Sequence, residues 1–166
     1  MRVYLPLTLS ALRQAHGAGE LGPAPRYGYA VTGELREWAG SEDQEELEYL
    51  ALHQAAEASL RLLADDREEP DHRRVVIAVE WADAEVRTVT PEDDDPGRVR
   101  LEAPVPLDRV RAVHLDDPDH APLVAEAAEA LSRHPGPDRE AAPEPVERIG
   151  ERELLWYAPQ EIAYLV

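Results

Sequence analysis

The longest β-prone run in the chain lies between Arg73 and Val89. Val75, Val76, Ile77, Ala78 and Val79 are apolar without a break, the pattern of a strand covered on both faces, and Val86, Thr88 and Val89 then resume an alternating one. Ala82, Asp83 and Ala84 make a short connection between them. The pattern therefore predicts a β-hairpin whose first arm, Val75 to Val79, lies in the middle of a sheet with helices on both sides.

Other elements follow from periodicity and punctuation. Arg2 to Leu5 reads as a short strand ended by Pro6, and Thr8 caps a helix from Leu9 to about His16 with Gly17 at its stop. Arg26 to Val31 reads as a strand in which Gly28 and Ala30 leave room for a close neighbour. Thr32 caps a short helix ending near Trp38. Ser41 and Gln44 form a capping box for a long helix from about Glu42 to Ala64, with Leu47, Leu50, Ala51, Ala55, Ala58 and Leu62 as its apolar stripe. Arg98 to Ala103, Ala112 to Leu115 and Leu154 to Tyr157 supply further strands, and an alanine-rich helix runs from Pro122 to about Arg133. His134 to Glu147 has little to bury and is expected to be a mobile, Pro-rich loop, after which the apolar C-terminus docks back. Together these predict a single α+β domain over residues 1–166: a sheet of about six strands, antiparallel or mixed, with two main helices on one face, loosely ferredoxin-like.

Composition narrows the chemistry. The chain has no cysteine, which removes disulfides, thiolate metal sites and any Cys nucleophile. Acidic residues number 35 against 17 basic ones, all arginine, for a formal charge of -18. Such a charge repels phosphate backbones, so direct nucleic-acid binding is disfavoured, and a partner, where there is one, is expected to be a basic protein or a cation, the alternative being a solvated acidic surface with no partner. The N-terminus is a poor signal peptide, because its apolar run is broken by Pro6, Thr8 and Ser10, and no stretch approaches the roughly 20 apolar residues of a membrane span. A cytoplasmic location is therefore expected.

Two groups of residues are candidates for function. In VHLDDPDHAP, His114, Asp116, Asp117 and His120 sit between a strand and a helix, and imidazole with carboxylate is a ligand set for a divalent metal. Asp-Asp-Pro-Asp is equally the chemistry of a turn and a helix cap, and the spacing matches neither H-E-x-x-H nor an EF-hand loop. Trp38, Trp81, Trp156 and Tyr157 fall near predicted element ends, where they are candidates for a partner-binding patch. Ser10, Ser41, Ser59 and Ser132 lie in or beside predicted helices, none in a G-x-S-x-G setting, and there is no phosphate-binding glycine loop.

MRVYLPLTLSALRQAHGAGELGPAP, YGYAVT and ELLWYAPQEI together resemble an uncharacterised family of small acidic actinobacterial proteins, known as a domain of unknown function. That resemblance implies a cytoplasmic protein and transfers no catalytic residues. The N-terminal strand and helix are also similar in outline to two-histidine phosphoesterases, whose His-x-Thr/Ser motifs are missing: none of the 6 histidines has Ser or Thr two positions on. The expectation is a non-enzymatic interaction or regulatory module without cofactor, with a metal-binding protein or metal-dependent hydrolase using His114 to His120 as the alternative.

Overall fold

The computed structural model describes residues 1–89, 95–133 and 142–166. Nine strands and six α-helices occur among them. In chain order they are β1 (Arg2–Leu7), α1 (Leu9–Ala18), β2 (Glu20–Leu21), β3 (Arg26–Ala30), α2 (Gly33–Ala39), α3 (Gln44–Asp65), β4 (Val75–Glu80), β5 (Val86–Thr88), β6 (Arg98–Leu101), β7 (Val105–Pro106), β8 (Val110–Leu115), α4 (Ala121–Arg133), α5 (Glu144–Gly150), β9 (Leu155–Tyr157) and α6 (Ile162–Leu165). Seven strands form one antiparallel sheet in the order β5-β6-β3-β1-β4-β8-β9, and β2 pairs with β7 in a separate ribbon.

The apolar block of β4 lies between β1 and β8, and its alternate residues enter two cores. Val75, Ile77 and Val79 point to the side covered by Leu9, Leu12 and Ala15 of α1, the small ribbon and Ile162 of α6. Val76 and Ala78 point to the side covered by Leu47, Ala51 and Ala55 of α3. That double burial is why the block shows no alternation. α1 and α3 thus cover opposite faces of the sheet, while the alanine-rich helix α4, expected to lie beside α3, does pack against it. Six helices occur among the described residues where two main ones were expected, and the chain order, in which β3 leads into two helices before the next strand, departs from the β-α-β-β-α-β run of a ferredoxin-like fold. A third core joins Leu60 and Leu63 of α3 to Val124, Ala127 and Ala128 of α4 and Ile149 of α5.

Several local expectations are corrected. No hairpin joins β4 to β5: β4 pairs with β1 and β8, while β5 pairs with β6 at the far edge. Long-range burial of the apolar block outweighs the short connection. Pro6 does not end β1, because β3 pairs only with Val3 and Tyr4, and a missing N–H beyond them withdraws nothing from that side. Asp43, not Ser41, caps α3, accepting from the amides of Glu45 and Glu46, and Ser41 Oγ donates to Glu46. The buried stripe of α3 also drifts, so Leu60 and Leu63 are inside and Leu62 is exposed. Glu144 to Glu147, expected within the mobile loop, form the first turn of α5; residues 134–141 of that expected loop, and residues 90–94, lie outside the described residues.

Two close fits hold the sheet in register. Ser59 is fully buried on α3, donating to the Leu7 carbonyl at 2.7 Å and accepting from the Val75 amide at 2.9 Å, so one hydroxyl bridges the end of the β1–β4 ladder. At Gly28 an added Cβ would lie 2.7 Å from Leu5 Cδ2 and 2.8 Å from the Tyr4 carbonyl, as expected of a strand with a near neighbour.

Candidate functional site

The stretch from His114 to His120 separates into three environments. Asp116, at the end of β8, is fully buried and clamps Arg74, which heads β4: Oδ2 accepts from the Arg74 amide at 2.8 Å and from Nε at 2.9 Å, and Oδ1 accepts from an Nη at 2.8 Å. The same guanidinium donates to the Arg152 carbonyl at 3.0 Å, tying the segment before β9 to the sheet. A carboxylate so engaged has its lone pairs committed. Asp117 caps the turn into α4, accepting from the Asp119 amide at 2.9 Å. Half-buried His120 closes that turn through its own amide, which donates to the Asp117 carbonyl. Of the four residues expected to ligate one ion, Asp116 is thus used as a latch and Asp117 as a cap, while the buried Nδ1 of His120 has no hydrogen-bond partner; among the described residues no group of three His, Asp or Glu is placed to hold a metal.

His114 points to the face covered by α3. Its ring lies 6.3 Å from that of Tyr4, inclined at 54°, and Trp156 stands directly opposite it on β9. Burial, followed by the charge of Arg2, lowers the imidazole from its ordinary 6.5 to about 4, so it is neutral in neutral solution. Burial and then Glu48 push the Tyr4 phenol up. Across from them, α3 presents Tyr49 and His53, whose rings lie 4.7 Å apart; Tyr49 Oη stands 3.0 Å from His53 Nε2 and donates to Glu153 Oε1 at 3.3 Å. Tyr49 thereby links α3 to the segment that precedes β9.

Each serine hydroxyl is occupied: Ser10 donates to Glu69, Ser41 to Glu46, Ser59 to Leu7 and Ser132 to the Glu129 carbonyl. The four aromatic candidates are not brought together either. Trp81 is buried in the α1-side core with Arg109 over its ring at 5.6 Å, Trp38 is exposed on α2, and Trp156 and Tyr157, adjacent on β9, face opposite sides of the sheet. Arg74, Tyr49, His53 and Glu153 were not singled out in the sequence. For Arg74 a signal existed, because a charged residue heading a strand buried on both faces needs a partner.

A family of unknown function, DUF6912, matches residues 1–166, and the chain belongs to it. Neither the curated proteins nor the solved structures provide a match. No helix among the described residues is long and apolar enough to cross a membrane.

Proposed function

We propose that this member of DUF6912 is a non-enzymatic interaction module that holds a basic, extended segment of a partner protein against β9. The observation that carries the reading is the position of β9 at the end of the sheet order, paired on one side with β8 and, among the described residues, with no strand on the other. A free edge offers unpaired backbone donors and acceptors to an incoming strand. Trp156, 62% exposed, and Leu155, 41% exposed, stand on that edge as side-chain contacts. Glu151 and Glu153 precede them, Glu45, Glu46 and Glu48 lie on α3, and the formal charge of the chain is -18. An arginine or lysine beside Trp156 gains a cation–π contact as well as the acidic field.

The test is hydrogen exchange on the full chain with a synthetic peptide alternating Arg and Val. Expected are new protection at Leu155 to Tyr157, weakening of the complex as salt is raised, and a loss of roughly fivefold or more in affinity for Trp156→Ala. Protection confined to another part of the chain, or equal binding of an acidic peptide of the same length, refutes the reading.

A further inference from the structure

The opposite end of the sheet carries a second feature of contrary sign. Tyr27 of β3 pairs with Arg100 of β6, and Arg100 pairs in turn with Arg87 of β5, so the three side chains stand in one row across three strands on one face. Arg98, two positions before Arg100 and therefore on the same face, lays its guanidinium over the Tyr27 ring at 4.6 Å from the centroid. Tyr27, Arg87, Thr88, Val89, Arg100 and Glu102 line an open depression of about 390 Å³.

Two arginines directly opposed across a ladder repel each other, and such a pair costs stability unless an anion lies between them. Glu102 meets part of that demand, clamping Arg100 with both oxygens at 2.6 Å and 3.0 Å. Arg87 has no ion pair or side-chain hydrogen bond among the described residues, and it is exposed at the rim of the depression. Among the described residues, the carboxylate hydrogen-bonded within this group of Arg87, Arg98 and Arg100 is that of Glu102, and it is bonded to Arg100. In a chain whose acids outnumber its bases by 35 to 17, this concentration of arginine on one small concave surface runs against the overall charge.

We propose that the depression between Arg87 and Arg100 is a binding site for a small phosphate monoester, independent of the β9 edge. Arg87 and Arg100 take the phosphoryl oxygens through their planar N–H forks, for which a tetrahedral dianion offers several acceptors. Tyr27 supplies an aromatic wall for the organic part of the ligand, and the Thr88 hydroxyl, at the same rim, is a further donor. Glu102 is the resident competitor, since its carboxylate occupies the Arg100 fork that the phosphate requires.

The competitor makes the site testable by gain as well as loss. Phenyl phosphate, inorganic phosphate and phenol are titrated against the full chain by calorimetry and by amide chemical shifts. Expected are binding of phenyl phosphate more tightly than inorganic phosphate, no binding of phenol, and shifts centred on residues 87 to 89 and 98 to 102. Arg87→Gln is expected to weaken phenyl phosphate at least tenfold, and Glu102→Gln to tighten it severalfold, an effect that a purely structural glutamate would not produce. Both side chains are exposed, and circular dichroism on each variant verifies the fold. An unchanged affinity in Arg87→Gln, a loss in Glu102→Gln, or shifts located elsewhere overturns the site. A glutamate-rich peptide binding more tightly than phenyl phosphate overturns the phosphate assignment in favour of an acidic protein segment.

Discussion

Replacing Asp116 by alanine removes the acceptor of three hydrogen bonds and leaves the Arg74 guanidinium in a position where its side chain is 4% exposed. Breaking a buried pair by deleting one member costs roughly 3–5 kcal/mol, because the remaining charge is neither hydrated nor paired. Against the ~5–15 kcal/mol that holds a domain together, this is a large fraction, and at this chain length it lowers the thermal midpoint by roughly 10 °C. The double substitution Arg74→Met with Asp116→Leu removes both charges and recovers most of the loss. Recovery stops about 1–3 kcal/mol short, since the Arg74 backbone amide, which donates to Asp116 at 2.8 Å, keeps no acceptor. Urea denaturation of the wild type, Arg74→Met, Asp116→Leu and the double variant measures this cycle, with Asp116→Ala alongside. A loss below ~1 kcal/mol for Asp116→Ala, or a double variant less stable than that single one, refutes the latch. A metal role for the same carboxylate makes a different forecast, in which a chelator lowers the wild-type midpoint; the latch expects no change on chelation.

Ser59→Ala leaves the Leu7 carbonyl and the Val75 amide without their bridge, and denaturation is expected to show a loss of about 2–4 kcal/mol; under ~0.5 kcal/mol would mean that the two backbone groups close on each other directly. Gly28→Ala drives a methyl to within 2.8 Å of the Tyr4 carbonyl, a backbone atom that cannot rotate away, and a cost of about 2 kcal/mol or more is expected in thermal unfolding; an unchanged midpoint would show that β3 and β1 can separate freely. His114 provides the pH prediction. Its imidazole is lowered to about 4 when folded and has an ordinary value of 6.5 when exposed, so the unfolded chain takes up a proton first. The neutral ring's contribution is complete above pH 6.5 and is lost as pH falls toward 4, by about 3 kcal/mol in all. A His114→Gln variant is expected to lose less stability than the wild type across that window, and parallel pH curves would refute the burial argument.

What was legible in the sequence was local. Thr8 and Thr32 cap their helices where the sequence places them, each hydroxyl accepting an amide of the first turn. The apolar block of β4 is central, and Ile162 returns to the core despite the proline-rich stretch before it. What was not legible was pairing over distance. Nothing near Asp116 in sequence announces that its partner is Arg74, so a run of aspartates beside histidines has the same appearance as a metal loop or as a latch and a cap. The expected β4–β5 hairpin failed for a related reason: a strand buried on both faces takes neighbours that extend the core, and β1 and β8 offer apolar residues to both faces where β5 offers Arg87 and Thr88. Ser59 was hidden in the alanine stripe of α3, although a hydroxyl among buried small residues implies a backbone group to be satisfied.

Net charge is a poor guide to the sign of any one surface, and this sheet illustrates why. The formal value of -18 describes the summed field at distances large against the spacing of the individual charges, a field that salt screens. At contact distance the field depends on which residues the register aligns. Antiparallel pairing puts Arg87, Arg100 and Tyr27, the last separated from the others in sequence by two helices and a strand, in a single row at one end. At the other end it puts Trp156 opposite the neutral His114, with Glu153 held toward Tyr49 of α3. Reversing the face of β6 by a one-residue slip would bury the two arginines and expose Val99 and Leu101, which the core forbids. The arginine row is therefore enforced by the same apolar alternation that builds the sheet, and its sign cannot be averaged away by acids elsewhere on the chain.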